Sequence, residues 1–237
     1  MLKCEGGWRK LWQGKDTEKM MTAGKTGKLL RELYEKLWGA FGPQGWWPGE
    51  SAFEVALGAI LTQNTNWHNV ARVMKRLKEE GCLSAGALSA VPEAELAGFF
   101  RPAGYYNLKA RRVKNFLSLL QGRYQGSMAA MAAEGLENLR PRLLEVKGIG
   151  PETADSILLY ALNKPTFVVD AYTFRILSRH DLAPESATYE ELRRLFMERL
   201  PPEVGLYQEY HALLVRLGKE FCRPQPRCEA CLLQGWP

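Results

Sequence analysis

A Gly-x-Gly turn between two helical patterns is the first feature of the sequence that could bind a ligand. The first pattern ends at Val146, and Pro151 follows the turn, where its missing N–H suits the first turn of a second helix. Glycines let the backbone bend sharply and approach a partner closely, and the N–H groups that begin a helix attract anions. The sequence therefore predicts a helix–hairpin–helix element that grips phosphate, formed by Lys147, Gly148, Ile149 and Gly150.

A single carboxylate, Asp170, follows the apolar run 167–169 and precedes a new helical pattern. Aspartate is favoured at the N-cap of a helix, because its side chain accepts a hydrogen bond from a free backbone N–H. A carboxylate can also stabilise a developing positive charge or take a proton from water. The segment alone favours the cap and leaves the chemical role open.

Three cysteines near the C-terminus have a spacing that could hold a metal. The five cysteines of the chain are Cys4, Cys82, Cys222, Cys228 and Cys231. An odd number with three clustered in the pattern Cys-x5-Cys-x2-Cys favours a metal site in a reducing cytosol over a disulfide framework.

Three further stretches could contact a ligand or could be purely structural. Trp46 and Trp47 are adjacent in a Gly/Pro-rich loop, where they either serve a binding site or pin the loop to the core. The polar run 62–67 follows a buried helix and is either a surface wedge or a solvated helix end. The segment 101–112 mixes two tyrosines with four cations, so it either lines a nucleic-acid groove or is a solvated face.

The composition limits the class of protein. The chain has 237 residues, 46% of them hydrophobic, which suffices for one large domain or two smaller lobes. A net charge of +6 and a pI of about 9.1 suit a polyanionic partner. The sequence has no apolar run long enough for a transmembrane helix and no recognisable signal peptide, so a cytoplasmic protein is expected.

Hydrophobic periodicity predicts an all-α protein, because period-two alternation is almost absent. Residues 1–26 are polar and aperiodic and predict a loose leader. The predicted helices cover 29–41, 53–61, 70–77, 84–100, 113–120, 171–180, 188–199 and 207–221.

Five segments follow one another in a distinctive order: Trp46-Trp47-Pro48, LGAILTQNT at 57–65, RPAGYYNLKA at 101–110, KGIGPETAD at 147–155, and Val168-Val169-Asp170. In this order they resemble the helix-hairpin-helix (HhH-GPD) DNA glycosylases of the endonuclease III superfamily, and most closely their 3-methyladenine subgroup. The resemblance covers about residues 29–231. It implies a two-lobed helical fold over 27–237 with a DNA-binding cleft between the lobes. One lobe would be a six-helix unit at about 50–165, and the other would combine the N-terminal helix with 166–237.

The resemblance also implies roles for individual residues. Asp170 would be the catalytic carboxylate, at a helix start as the capping pattern requires. Gln63 would fill the gap in the base stack, and the hairpin with Lys109 and Arg111 would hold DNA phosphates. Our candidates for the base pocket are Trp46, Trp47, Pro48 and Phe53.

Two departures from the family pattern matter. Bifunctional members carry a lysine two residues after the second hairpin glycine, and this chain has Glu152 there, which cannot form an imine. The family often binds a [4Fe–4S] cluster through four cysteines, but Pro237 stands where the fourth would fall. The three present, Cys222, Cys228 and Cys231, could hold such a cluster or a zinc ion with an outside ligand.

The resulting expectation is a monomeric, monofunctional DNA glycosylase of base excision repair that flips an alkylated purine out of double-stranded DNA, 3-methyladenine being the first candidate. It would be cytoplasmic, and associated with the nucleoid if the source is prokaryotic. One alternative is an endonuclease III-like enzyme for oxidised or mismatched bases. Another is a helix-hairpin-helix DNA-binding protein without chemistry.

Overall fold

The computed structural model describes residues 24–236, and within this range every regular element is helical. This confirms the all-α prediction. The predicted leader lies almost entirely outside the described residues. Its last two residues, Lys25 and Thr26, are not loose, because they already form the first turn of a helix.

The helices in chain order are α1 (Lys25–Phe41), α2 (Ala52–Leu61), α3 (Trp67–Glu79), α4 (Ala85–Ala90), α5 (Glu93–Phe100), α6 (Tyr106–Tyr124), α7 (Met128–Ala132), α8 (Leu136–Glu145), α9 (Pro151–Ser156), α10 (Ala171–Arg179), α11 (Tyr189–Arg199) and α12 (Val204–Glu220). A π-helical segment, Ile157–Ala161, continues α9. Short 3₁₀ turns cover Arg101–Ala103 and Cys228–Ala230. No helix of the described chain is long and apolar enough to cross a lipid bilayer.

The chain divides into two compact units. One consists of residues 47–165, and the described part of the other consists of residues 24–46 and 166–236. The first is called the hairpin unit below, because it contains the Gly-x-Gly turn. The second is called the Asp170 unit.

Helix α2 forms the core of the hairpin unit. Every residue from Val55 to Leu61 is buried, as expected for a helix that is apolar on all sides. Ser51 caps it by accepting a hydrogen bond from the Glu54 N–H at 3.2 Å. At Gly58 the helix passes close to two tryptophans, since an added Cβ would lie 3.2 Å from Trp47 and 3.1 Å from Trp67.

A buried ion pair joins the two helices that flank the hairpin. Arg140 of α8 donates two parallel hydrogen bonds, of 2.9 and 3.0 Å, to the carboxylate of Asp155 in α9. The Asp155 side chain is fully buried. Loss of one member of such a pair costs about 3–5 kcal/mol, because the other charge is left buried and unpaired. The pair therefore fixes the angle at which the hairpin is presented.

Stacked aromatic rings form the core of the Asp170 unit. Phe167 stacks on Phe196 with ring centroids 3.8 Å apart, and Tyr207 meets Phe167 edge-on at 5.6 Å. Tyr210 ties α12 to α1 by donating a hydrogen bond of 2.7 Å to the Leu30 carbonyl. This packing holds the segment 167–169, and with it the start of α10, in place.

Most observed helices begin and end within a few residues of the predicted ones, although α6 is much longer than the predicted 113–120. Three other differences stand out. The pattern predicted over 84–100 is two helices, since Pro92 ends α4 and begins α5. Helix α7 was not predicted, because five residues are too few to show a periodicity. The π-helical segment was not predicted either, because it follows from how the buried turn packs against α2.

Candidate functional site

The two oxygens of Asp170 have different partners. Asp170 caps α10, and its Oδ1 accepts hydrogen bonds from the N–H and the hydroxyl of Thr173 at 2.7 and 2.9 Å. Its Oδ2 lies 3.6 Å from Nε2 of His211, on α12. The Asp170 side chain is 13% exposed and that of His211 is 5% exposed. One oxygen is therefore committed to the helix start, and the other faces an imidazole.

The carboxyl of Asp170 is kept ionised. Burial alone would raise its pKa, but the imidazole of His211, 3.6 Å from Oδ2, and the two hydrogen bonds from Thr173 outweigh burial and lower the pKa below its usual value. A negative charge with little solvent around it interacts strongly with any positive charge that develops nearby. The group suits the stabilisation of a cation.

Trp46 belongs to the same unit and contacts the same histidine. Its ring stacks on His211 with centroids 5.8 Å apart and planes 19° from parallel, and the Lys219 Nζ lies 5.4 Å from the ring centroid. The preceding loop is anchored by Glu209 of α12, whose carboxylate accepts a hydrogen bond of 2.5 Å from the Gln44 N–H. Helix α12 thus supports both Trp46 and Asp170.

The hairpin has the predicted tight turn. The Ile149 N–H donates to the Val146 carbonyl at 2.9 Å, and Gly148 adopts a φ of 100°, which favours glycine. Ile149 is buried and anchors the turn, whereas Gly148 and Gly150 are exposed. An added Cβ at Gly150 would meet no atom within 4 Å, so this side of the backbone is open to a partner.

Side chains from α6 and from the end of α2 hold the hairpin carbonyls. Asn115 donates to the Lys147 carbonyl at 2.8 Å, and Gln63 donates to the Gly148 carbonyl at 3.1 Å. A trans peptide places its N–H opposite its C=O, so the Gly148 N–H points away from Asn115. Because the hairpin carbonyls point inward, the Gly148 N–H points to the outer face of the turn, where it can bind an anion.

Gln63 is docked on the hairpin. Besides its bond to Gly148, its amide nitrogen donates to the Thr153 hydroxyl at 2.8 Å, and its amide oxygen accepts a hydrogen bond from Arg112. The structure thus joins two stretches that sequence analysis treated separately, the polar run after α2 and the phosphate grip. Glu152, at the lysine position of bifunctional relatives, is exposed in the first turn of α9.

The structure corrects the prediction for Lys109. Its side chain is fully buried, and its ammonium donates to the Ala103 carbonyl at 2.7 Å, so it caps the 3₁₀ turn and does not face a phosphate. Burial, with a smaller contribution from Arg112, lowers its pKa to about 8. Arg111 does lie at the surface, with 66% of its side chain exposed and its Nε 3.3 Å from a Glu93 carboxylate oxygen.

The remaining pocket candidates have mainly packing contacts. Trp47 meets Trp67 edge-on at 5.6 Å and Tyr160 at 5.4 Å. Phe53 is 8% exposed, whereas Pro48 is exposed. Trp46 and Trp47 fall in different units, since the boundary lies between them.

Four residues with notable positions were not among the predicted site residues. They are Tyr105, Arg112, Asn115 and His211. Tyr105 is 68% exposed and adopts a φ of 46°, which is uncommon for a non-glycine residue and typical of functional turns. Its place in the mixed aromatic and basic segment was the available signal. For Arg112, Asn115 and His211 no local pattern reveals the partner, because each partner is distant in sequence.

The cysteine segment does not form a complete metal site in the described residues. Cys222 is buried and accepts a long contact of 3.5 Å from Arg179, Cys231 is half-buried, and Cys228 is exposed. Within residues 24–236 no three His, Cys, Asp or Glu side chains are arranged so that they could hold a metal ion. Pro237, at the family's fourth position, lies outside the described range. Cys222, Cys228 and Cys231 supply three of the four thiolates that such a cluster takes, and the cluster stays a prediction.

Comparisons with known proteins agree on one family. Residues 57–202 match the model of the HhH-GPD superfamily of base excision DNA repair proteins. A candidate DNA repair glycosylase of Methanocaldococcus jannaschii is 45% identical over 86% of this chain and 93% of its own length. The bovine endonuclease III-like protein 1 is 30% identical over 78% of this chain, which spans only 58% of that longer protein. The crystal structure of an H. pylori 3-methyladenine DNA glycosylase bound to 1,N6-ethenoadenine superposes with a TM-score of 0.68 at 30% identity, over 81% of this chain and 95% of that one.

Proposed function

The chain belongs to the HhH-GPD superfamily of base excision DNA repair proteins, and we propose that within it this protein is a monofunctional DNA glycosylase for alkylated purines, with 3-methyladenine as the first candidate. The observation that carries the proposal is Asp170. This buried carboxylate has a lowered pKa and one oxygen that is not committed to the helix start.

The chemistry assigned to Asp170 is charge stabilisation. As the N-glycosidic bond breaks, positive charge develops on the deoxyribose, and the ionised carboxylate opposes it. Asp170 also orients the attacking water and takes its proton. An alkylated purine is itself cationic and leaves readily, so the reaction needs little help from a general acid.

DNA is bound through its backbone. The exposed glycines of the hairpin approach a phosphate, and Arg111 adds a surface cation. The target base has to leave the duplex, because its reacting atoms are inaccessible inside the stack. Gln63 fills the gap, and the exposed ring of Tyr105 stacks on a neighbouring base. The protein acts as a monomer on double-stranded DNA.

The preference for an alkylated purine is assigned to aromatic rings. A cationic base over an indole gains roughly 0.5–2 kcal/mol from the cation–π interaction, which a neutral base lacks. The Trp46 ring already has a cation nearby, the Lys219 ammonium at 5.4 Å. Trp47, Pro48 and Phe53 are the other candidates for contacts to the base. The H. pylori relative, whose name specifies 3-methyladenine, supports this substrate class.

The protein has no β-lyase step in this proposal. A lyase needs an amine that attacks the sugar C1′, and Glu152 has the position at which bifunctional relatives carry a lysine. Lys147 precedes both hairpin glycines and is therefore misplaced for this attack.

Base release from defined duplexes tests the proposal. We expect release from methylated DNA, none from undamaged DNA, intact abasic strands and no adduct trapped by borohydride. If bases are released only from uracil-containing or oxidised duplexes, the substrate is a mismatched or oxidised base and not an alkylated purine. DNA binding without any release would support a non-catalytic protein. A trapped adduct that disappears in Lys147→Ala would show that the chain has a lyase amine.

A further inference from the structure

We propose that His211 is a positioning residue of the reaction, which holds Oδ2 of Asp170 through its Nε2–H so that the carboxylate stays ionised and correctly aimed. The inference rests on the proposed function, since it assigns Asp170 a partner in the same chemistry. Three observations support it. His211 Nε2 lies 3.6 Å from Asp170 Oδ2, both side chains are buried, and the two hydrogen bonds from Thr173 go to the other carboxylate oxygen, Oδ1.

Each oxygen of Asp170 has a separate task. Oδ1 accepts two hydrogen bonds from Thr173, at 2.7 and 2.9 Å, and these fix the carboxylate to the first turn of α10. Neither of these two bonds reaches Oδ2. His211 approaches that oxygen from another helix, α12, so the carboxylate is supported from two elements and not only from the start of α10.

The imidazole also favours the ionised form of Asp170. A carboxylate that is 13% exposed loses much of its hydration, and without a donor on the second oxygen it would tend to bind a proton. The protonated acid is neutral and could not oppose a cationic sugar. The interaction with His211 prevents this, because it favours the ionised form.

His211 has a second contact that could explain its burial equally well. Its ring stacks on Trp46 at 5.8 Å, so the histidine could be no more than a platform for the tryptophan loop. The two roles depend on different atoms. Holding Asp170 requires the Nε2–H, whereas supporting Trp46 requires a flat ring of similar size.

Two substitutions separate these roles. His211→Phe keeps a ring under Trp46 and removes the donor, whereas His211→Gln keeps a donor and removes the ring. We expect His211→Phe to reduce the single-turnover rate of base release about 10- to 100-fold, the usual effect of losing one hydrogen bond to a charged group. DNA affinity and Tm should change little. His211→Gln should retain more of the rate than His211→Phe.

The platform role predicts the opposite order. If His211→Phe releases bases faster than His211→Gln, or as fast as the wild type, His211 does not act through Asp170. A second measurement does not depend on turnover: the carboxyl ¹³C resonance of Asp170, followed against pH, should titrate at higher pH in His211→Phe than in the wild type. An unchanged titration would overturn the inference. Glu209, Arg216 and Lys219, which are charged α12 residues near the Trp46 loop, stay the same in every variant.

Asp170→Asn distinguishes failure of this inference from failure of the proposed function. If Asp170→Asn is inactive and His211→Phe is fully active, only the role of His211 is wrong. If Asp170→Asn is itself fully active, the proposed function fails and the inference fails with it. In the double variant, His211→Phe should add no further loss once Asp170 is gone, because coupled residues are not additive. A full additional loss would show that His211 acts elsewhere.

Discussion

Replacing Asp170 by asparagine should remove the negative charge and leave the fold in place. The asparagine Oδ1 can still accept both hydrogen bonds from Thr173, and asparagine caps a helix about as well as aspartate. The variant should therefore still unfold cooperatively, with a Tm at neutral pH only modestly below that of the wild type, because it loses only the stabilisation that the charge supplies. What changes is the group that faces His211, which becomes a neutral amide.

The size of the catalytic effect follows from the environment of the carboxylate. Loss of one preorganised group that stabilises charge in a transition state costs about 10²- to 10³-fold in rate. Asp170 carries a full charge and is only 13% exposed, so water screens it weakly. We therefore expect single-turnover release of the alkylated purine to fall by at least about 10²-fold, with DNA affinity nearly unchanged.

The same substitution should change how stability depends on pH. The pKa of Asp170 is lowered by folding, so the ionised group stabilises the folded state above the usual pKa of aspartate. That contribution is lost as the pH falls through the lowered value. The difference in Tm between wild type and Asp170→Asn should accordingly be largest near neutral pH and disappear in acid.

Base release under single turnover and fluorescence anisotropy with the same duplex measure the two quantities. Near wild-type release by a folded Asp170→Asn would refute the assignment of this carboxylate. Loss of release together with a large fall in Tm would instead indicate that the residue is only a cap. Comparison with Thr173→Val, which removes one of the two donors to Oδ1 and keeps the charge, controls for the helix start.

Three further predictions concern the hairpin, the basic turn and the tryptophan loop. Gly148→Ala should lower Tm by several degrees, because a φ of 100° costs an alanine about 1–2 kcal/mol. Gly150 has a φ of −90°, and a Cβ added there would face open space. Gly150→Ala should therefore keep the Tm of the wild type but weaken DNA binding in anisotropy titrations. Arg111→Gln should weaken binding to damaged and undamaged duplexes equally and reduce the salt slope by about one, whereas Lys109→Met should not change the slope. The pKa of Lys109 falls from 10.5 to about 8 on folding, so wild-type stability relative to Lys109→Met should rise as the pH increases between these values. Trp46→Ala should slow release of a cationic purine more than Trp46→Phe does, at a similar Tm. If both variants have the same specific activity as the wild type, Trp46 does not contact the base.

The helical fold and the hairpin could be predicted because both depend on local rules. A buried helix such as α2 is apolar on every side, and a Gly-x-Gly turn followed by proline has few other conformations. The start of α10 could be predicted equally well, since an aspartate after an apolar run is a common helix N-cap. In these cases a few neighbouring residues contain all the information that the local structure needs.

Lys109 shows where local rules end. A lysine in a run of cations and tyrosines predicts a solvated side chain, because an ammonium is seldom fully buried. Here the turn that ends α5 presents the Ala103 carbonyl to the inside, and the lysine satisfies it. The geometry of that turn depends on how α5 and α6 pack, which the pattern of residue types does not specify.

Asp170 also shows why a capping role and a chemical role need not compete for one residue. A carboxylate has two oxygens, and a helix cap needs only one acceptor. In this structure Oδ1 serves the backbone, while Oδ2 faces His211 across to another helix. The cap supplies rigidity without a further residue, because the same two bonds that start α10 fix the carbon that bears the reactive oxygen. Under the proposed function, the commonest structural role of an aspartate is thus what preorganises it for the reaction.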